Sequence, residues 1–289
     1  MTLTIVRAAR RSHRRFPGGL GPALGSAGPL EVRLASTKRE IRQAQKLRYR
    51  VFFENGPAVA DPTARLIRRD VCRFDAVCDH LIVVDHEARD KRGRPRLASA
   101  YRLLPREAAE ANFGFYSAGE FDLAPLLARH PETKFLELGR SCVAPEYRGR
   151  RALELLWRGI WTYVRHCRID ALFGCASFAG TDPAAHAQAL ALLRESAPVR
   201  PEWRADAAAG RGVDIAALGA APADARAAAR ALPPLLKGYW RIGAQFGAEA
   251  VIDEQFGSTD VFVVMPVAEI DQRYVAYFSE RDDAPPLAA

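Results

Sequence analysis

A carboxylate, a thiol and several guanidinium groups crowd the middle of this chain. The stretch FLELGRSCVAPEYRGRRALELLWRGIWTYV begins at Phe135 and carries Glu137, Arg140, Cys142, Arg148, Arg150, Arg151 and Arg158. Its first nine residues, Phe135–Val143, form a β-strand pattern. From Arg151 the positions Ala152, Leu155, Leu156, Gly159, Ile160 and Tyr163 fall on one helical stripe. A basic Pro-Gly turn joins the two. Such a junction presents the unpaired N–H groups of a helix N-terminus to an anion or a polarised carbonyl. The plainer reading of the same turn is a solvated basic loop. Cys142 has the chemistry of a nucleophile, but no Cys-His-Asn order accompanies it, which argues against a covalent route.

Other clusters carry less. Cys72, Cys78, His80 and His86 fit no common zinc spacing, and a strand would send them to alternate faces, so no metal is expected. The five cysteines include no CxxC pair and follow no secretory segment, which predicts free thiols in a reducing cytoplasm. No run of about 18 apolar residues is long enough to span a membrane as a helix. The formal charge of +8 is uneven: residues 1–48 hold eleven Lys/Arg against two Glu, and the rest sums to −1. Arg7, Arg10, Arg11, Arg14 and Arg15 sit among Gly, Pro and Ala, as in a flexible arm. That arm is either a solvated extension or an element drawn to an acidic partner or anionic lipid. Nucleic acid is not expected, because neither aromatic interleaving nor helix-turn-helix spacing is present.

The elements that must position these groups alternate strand and helix. Glu31–Ser36 reads as a strand, and Thr37 as the cap of a helix through Ile41, Ala44, Leu47 and Val51. Residues 55–79 read as a long loop. HLIVVD (from His80) and LASAYRL (from Leu97) predict a hairpin. Ala171–Phe178 predicts a buried strand, Asp182 a cap for a helix to about Arg194, Leu232–Phe246 a helix and Thr259–Val264 a strand. Residues 200–231 contain 14 alanines and predict a mobile insertion or an amphipathic helix. The division expected is a basic arm at 1–30, a core at 31–199, the Ala-rich insertion, a helix–strand unit at 232–280 and a tail at 281–289. The fold class is mixed α/β, with an antiparallel first half.

The strand–turn–helix unit resembles the GNAT superfamily signature: an Arg or Gln, two residues, Gly, one residue, then Gly or Ala. Arg148 occupies the first position, but Arg151 and Leu153 stand where small residues belong. Bulk there would obstruct a coenzyme A pyrophosphate approaching backbone amides. An acyl carrier protein, strongly acidic and presenting acyl-phosphopantetheine without the nucleotide, fits better, facing Arg148, Gly149, Arg150, Arg151 and Arg158. LRYRVFFE, an aspartate stretch ending in HL, YRLLP and ELGRSCV further resemble the acyl-homoserine-lactone synthases, matching at Arg48, Phe52, Asp75, Arg102, Glu137 and Arg140. The tryptophan that follows the first of these motifs in that family is missing from residues 55–70. FDAVCDHLIVVD, ELGRSCVAPEYRGRRALELLWRGIW, FGCASFAGTDP and LPPLLKGYWRIGAQFGAEAVIDEQFGSTDVFVVMPV resemble the ornithine–acyl-carrier-protein N-acyltransferases over residues 30–278.

That resemblance implies a GNAT-like central mixed sheet flanked by helices, with a C-terminal helix–strand extension. It implies transfer of a long-chain, 3-hydroxylated acyl group to the α-amine of ornithine or a similar amino acid, with no tightly bound cofactor. Glu137 then takes the amine's proton. Backbone N–H groups near Cys142 and Val143 hold the oxyanion where the strand splays. Arg48 and Arg102 suit the ornithine carboxylate, and Asp75 and Asp79 its side-chain ammonium. Tyr163 offers a proton to the leaving thiolate, though a helix-stripe tyrosine is more often core. Trp157, Trp161 and Trp240 read as core before acyl groove. The LPPLLKGYW segment offers a peripheral contact with the inner-membrane surface.

Overall fold

The computed structural model describes residues 23–219 and 224–279. The basic arm up to residue 22 and the tail at 281–289 lie outside the described residues. Nine strands form one mixed sheet: β1 (Ala23–Ala27), β2 (Leu30–Leu34), β3 (Asp79–Arg89), β4 (Pro95–Pro105), β6 (Phe135–Val143), β7 (Ala171–Ala179), β9 (Gly212–Asp214), β10 (Gln245–Asp253) and β11 (Ser258–Pro266). Their order is β1-β2-β3-β4-β6-β7-β11-β10-β9, with β5 (Phe121–Asp122) and β8 (Asp206–Ala207) paired apart. Neighbours run antiparallel except β6 and β7, which are parallel.

The helices are α1 (Lys38–Tyr49), α2 (Pro62–Ile67), α3 (Arg106–Glu110), α4 (Ala124–Arg129), α5 (Arg150–Cys167), α6 (Ala187–Ser196), α7 (Ala225–Ala231), α8 (Pro234–Arg241) and α9 (Gln272–Ser279). Thr37 caps α1 in a reciprocal box: the Glu40 amide donates to Thr37 Oγ1 at 3.2 Å, and the Thr37 amide donates to Glu40 Oε2 at 3.0 Å. The apolar stripe of α5 buries Leu155, Leu156, Ile160 and Tyr163 against β2, β3 and β4. Gly159 permits the approach, since a Cβ there would lie 2.6 Å from Val32 Cγ2. α6 and α8 pack on the same side, while α1, α3 and α4 cover the opposite face.

Four expectations change. Residues 23–30, taken as the end of the arm, form the β1–β2 hairpin, with Arg158 on α5 donating to Ser26 O at 3.3 Å. The long loop at 55–79 contains α2, capped by Asp61, and a 3-10 turn at Arg73–Ala76. The helix expected to run to Phe246 stops at Arg241, because Gly243 at φ +93° turns the chain into β10. The described part of the Ala-rich segment is folded: β9 extends the sheet, and Ile215 and Ala228 are buried. Alanine side chains carry little periodic contrast, so that integration left almost no mark in the sequence.

The feature that matters for chemistry is the β6–β7 pair. It is in register only at Phe135–Ala171, Leu136–Leu172 and Glu137–Phe173. Beyond Glu137 the strands part. On its other edge β6 carries a bulge: Gly139 faces Arg102 and Cys142 faces Ala100, leaving Arg140 and Ser141 together opposite Tyr101. Arg140 adopts φ +54° to make it. A Cβ on Gly174, the first residue past the last rung, would lie 2.4 Å from Leu138 O. Gly174→Ala is therefore expected to cost about 1–3 kcal/mol by forcing two backbones apart. Urea denaturation checks it; an unchanged midpoint refutes the close-approach argument.

Candidate active site

The parted strands open a cavity of about 300 Å³. Strand alternation puts Arg102, Glu137, Gly139, Cys175 and Asp260 on one face of the sheet, and Tyr101, Leu138 and Phe178 on the other. Both sets line the cavity, so the gap passes through the sheet. One side is polar. The other is apolar and is closed by Leu235 of α8.

Glu137 sits at the last rung, 3% exposed. Its Oε1 accepts from Ser117 N at 2.6 Å and Ser117 Oγ at 2.5 Å, and its Oε2 accepts from Tyr116 N at 2.8 Å. Burial raises its pKa, and these donors offset that only in part. Three bonds leave one lone pair on Oε2 uncommitted, and that is where an incoming N–H would bind. The carboxylate thus closes the start of the 3-10 turn Tyr116–Gly119 while facing the cavity.

Arg102 and Arg140 also line the cavity. Arg102 Nη1 donates to Cys72 Sγ at 2.7 Å and lies 3.5 Å from Asp75 Oδ1. Arg140 Nη2 donates to Tyr116 Oη at 3.1 Å, and its guanidinium sits 4.0 Å from the Phe256 ring centroid. Phe52 stands on the wall against Phe256. Arg48, Asp75 and Asp79, expected as ligands of the substrate, are placed behind this wall. Arg48 is fully buried and bonded to Asp70 at 2.7 Å and to both oxygens of Asp75 at 2.8 and 2.9 Å. Asp75 also accepts from Gln45 Nε2 and Cys72 N, and its paired cations hold its pKa down at about 2. Asp79 accepts from Tyr163 Oη at 2.9 Å inside the core. These charges were legible as a set but not as a second layer, because the sequence does not say which partner each one takes.

Cys142 lies outside the cavity wall, packed with Ala35, Ile82 and Ala100, and burial pushes its thiol up to about 12. It is held protonated, a poor nucleophile. The Ala144 amide donates to Ala98 O at 2.8 Å. Ladder alternation therefore sends the Cys142 N–H to β4 and the Val143 N–H to the side away from β4. Neither residue's side chain lines the cavity, and of the two expected oxyanion donors only Val143 has its N–H directed away from β4. Tyr163, Trp157 and Trp161 are buried on the α5 side and away from the cavity wall. In LPPLLKGYW, Leu232, Leu236 and Tyr239 are buried in the core, and Leu235 faces the cavity. That placement turns the segment's apolar residues inward rather than toward a membrane.

At the basic turn, Gly149 is the N-cap of α5, and Arg148 and Arg151 are exposed. Leu153 packs on the core. A Cβ at Gly28 in the β1–β2 turn would lie 3.9 Å from Arg151 Nη1, so the hairpin flanks the helix start.

The sequence reading missed Ser117, Glu120, Asp253 and Asp260. The carboxylates of the last three lie within 4.8 Å of one another in the cavity wall. Burial and the Asp260 charge push Glu120 up to about 7, and burial raises Asp260 as well. One signal was available: Asp260 immediately precedes the apolar run VFVVM, in a strand buried along its whole length.

Residues 47–158 match the family model described as an acetyltransferase (GNAT) domain. The chain is 48% identical over 254 residues to the L-ornithine N(alpha)-acyltransferase of Agrobacterium fabrum, covering 88% of this chain and 86% of that one. It is 38% identical over 262 residues to the L-ornithine N(alpha)-acyltransferase of Rhodobacter capsulatus, covering 89% and 98%. A CoA-dependent acyl-homoserine lactone synthase, BjaI, is similar at a TM-score of 0.44 and 12% identity, over 86% of this chain and 85% of that one. No helix among the described residues is long and apolar enough to cross a membrane.

Because its folded pKa is raised, Glu120 is neutral at low pH, and the fold loses stability at this group as pH rises from the ordinary Glu value of 4.5 through about 7. Glu120→Gln removes that charge. It should raise the Tm at pH 8 by several degrees, at about 2–4 °C per kcal/mol for a chain of this size, with the gain vanishing toward pH 4.5. Thermal melts across that range check the sign.

Proposed function

Since the chain belongs to the family of L-ornithine N(alpha)-acyltransferases, we propose that its β6–β7 gap brings an acyl thioester and the α-amine of ornithine together beside Glu137. The chain is an acyltransferase that joins an acyl group to ornithine in ornithine-lipid synthesis. The observation that carries the mechanism is the position of Glu137: buried, raised in pKa, on the cavity wall at the last rung before the gap. The α-ammonium of an amino acid is largely protonated at neutral pH and must lose a proton to attack. Glu137 Oε2 accepts that proton. The nitrogen adds to the thioester carbonyl, and the oxyanion takes a hydrogen bond from Val143 N–H. The C–S bond then breaks, the nitrogen gives up its second proton, and the leaving thiolate takes that proton up, while the first passes from Glu137 to solvent.

Substrate orientation follows from the lining. Arg102 and Arg140 face the ornithine carboxylate, and the apolar side, with Leu138, Phe178 and Leu235, receives the acyl chain. Arg48 and Asp75 act through Arg102 as positioning residues. The donor is acyl carrier protein, an acidic partner for exposed Arg148 and Arg151 at Gly149 and the start of α5. The side chain of Arg151 and the flanking hairpin supply the bulk that disfavours a CoA nucleotide there.

Purified protein given 3-hydroxyacyl carrier protein and L-ornithine should form N-acyl-ornithine by mass spectrometry, and acyl-CoA should be a donor at least about tenfold poorer. No acyl-ornithine with any chain length would refute the reading. Glu137→Gln should lower kcat by roughly 10²–10⁴ with a modest change in KM for the carrier. In the unaltered enzyme kcat/KM should fall with falling pH through a pKa above the ordinary Glu value of 4.5, because only the carboxylate accepts a proton. A Glu137→Gln enzyme with full turnover would exclude it as the base.

A further inference from the structure

We infer that Glu120, Asp253 and Asp260 form the subsite that binds the side-chain ammonium of ornithine and selects a diamino acid over a neutral one of equal length. The inference rests on the acceptor assignment above and adds to it the residues that read the acceptor's far end.

The three carboxylates come from separate elements. Glu120 ends the 3-10 turn that Glu137 holds in place, Asp253 ends β10, and Asp260 sits inside β11. Glu120 and Asp260 are each 5% exposed. Among the described residues no cation pairs with any of the three. Asp253 Oδ1 accepts from the Phe256 amide at 3.0 Å, a local turn contact. Arg211, the nearest basic group acting on Glu120, instead spends its guanidinium on Gly119 O and Ile252 O.

Three buried acids alone would be a cluster and no more. The second observation is orphaned polarity: Glu120 Oε2 and Asp260 Oδ1 are buried in the cavity lining without a hydrogen-bond partner, even though Cys175 bears on Glu120 and the Ser177 and Ser258 hydroxyls bear on Asp260. A native fold rarely leaves such groups unsatisfied unless something binds them. An ammonium carries three N–H donors and one positive charge, which matches two or three converging carboxylate oxygens. The guanidiniums of Arg102 and Arg140 line the same cavity, and Arg140 acts on Asp260, so the lining offers cations for a carboxylate as well as anions for a second ammonium. Glu137 links the two: through Ser117 and Tyr116 it fixes the turn that delivers Glu120.

The test compares L-ornithine with L-norvaline, which has the same carbon chain and no side-chain ammonium. In the unaltered enzyme kcat/KM should favour ornithine by about 100-fold or more, as expected where buried polar groups are left unpaired by the lesser substrate. Glu120→Gln and Asp260→Asn should each cut that ratio by at least about tenfold, chiefly through KM for ornithine, and Glu120→Asp should recover part of it. A ratio left unchanged while both rates fall together would overturn the subsite and leave the acceptor assignment standing. Loss of activity on EDTA treatment, restored by a divalent ion, would overturn it in favour of a metal site. Absence of any ornithine acylation by the unaltered enzyme would overturn the acceptor reading itself, and the subsite with it.

Discussion

Two parallel strands that pair for three rungs and then separate are the constraint from which the site follows. A sheet edge opened inside a protein leaves backbone N–H and C=O groups without partners, and that is unfavourable unless a ligand or side chain supplies them. Here the opening is held from both flanks. Gly174 lets β7 approach Leu138 O at the branch point, and the bulge at Arg140–Ser141 bends β6 away. The nine-stranded sheet on either side keeps the remaining register intact. The result is a passage through the sheet with a rigid frame, which suits a reaction that needs two substrates to approach one carbon from different sides.

The frame has to hold buried charge as well. Arg48 enters the core because Asp70 and Asp75 accept from its Nε and Nη2, with Nη1 left without a partner, and Asp75 in turn steadies Arg102 on the cavity wall. A buried ion pair of this kind contributes little net stability. Its value is positional, since a guanidinium with fixed partners points one way. Glu137 works similarly. Its three accepted hydrogen bonds cap the 116–119 turn, so one carboxylate both shapes the pocket and faces the reacting centre.

The strand at Phe135–Val143, the α5 stripe and the Thr37 cap were legible because each rests on local chemistry within one element. The hairpin of β3 and β4 was legible for the same reason. Of the candidate ligands, Glu137, Arg140, Phe52 and Arg102 reach the cavity, while Arg48, Asp75 and Asp79 lie behind it. No periodicity separates these two groups, because the difference is set by which side chain finds a partner across the sheet. Glu120, Asp253 and Asp260 escaped notice because they converge only in three dimensions, with Glu120 more than a hundred residues before the other two. β10 and the described part of 200–231 escaped because Gly- and Ala-rich strands show weak alternation.

Charge accounting across the cavity ties the layers together. On the basic side three guanidiniums, Arg48, Arg102 and Arg140, meet two carboxylates, Asp70 and Asp75, which leaves one positive charge over. On the acidic side Glu120, Asp253 and Asp260 meet no paired cation among the described residues, and burial, with their mutual repulsion added, raises the pKa values of Glu120 and Asp260. The lining therefore combines guanidiniums that outnumber their ion-pair partners, one of them acting on Glu137, with carboxylates that have no paired cation among the described residues. Selection for stability alone would remove both imbalances, since unpaired buried charge is costly. Their persistence together in the lining of one passage, which Glu137 shares, is what a site built around a dipolar, doubly cationic substrate requires. In the proposed mechanism the same imbalance orients that substrate: the carboxylate end is drawn toward the guanidiniums, the distal ammonium toward β10 and β11, and the α-amine is left beside Glu137.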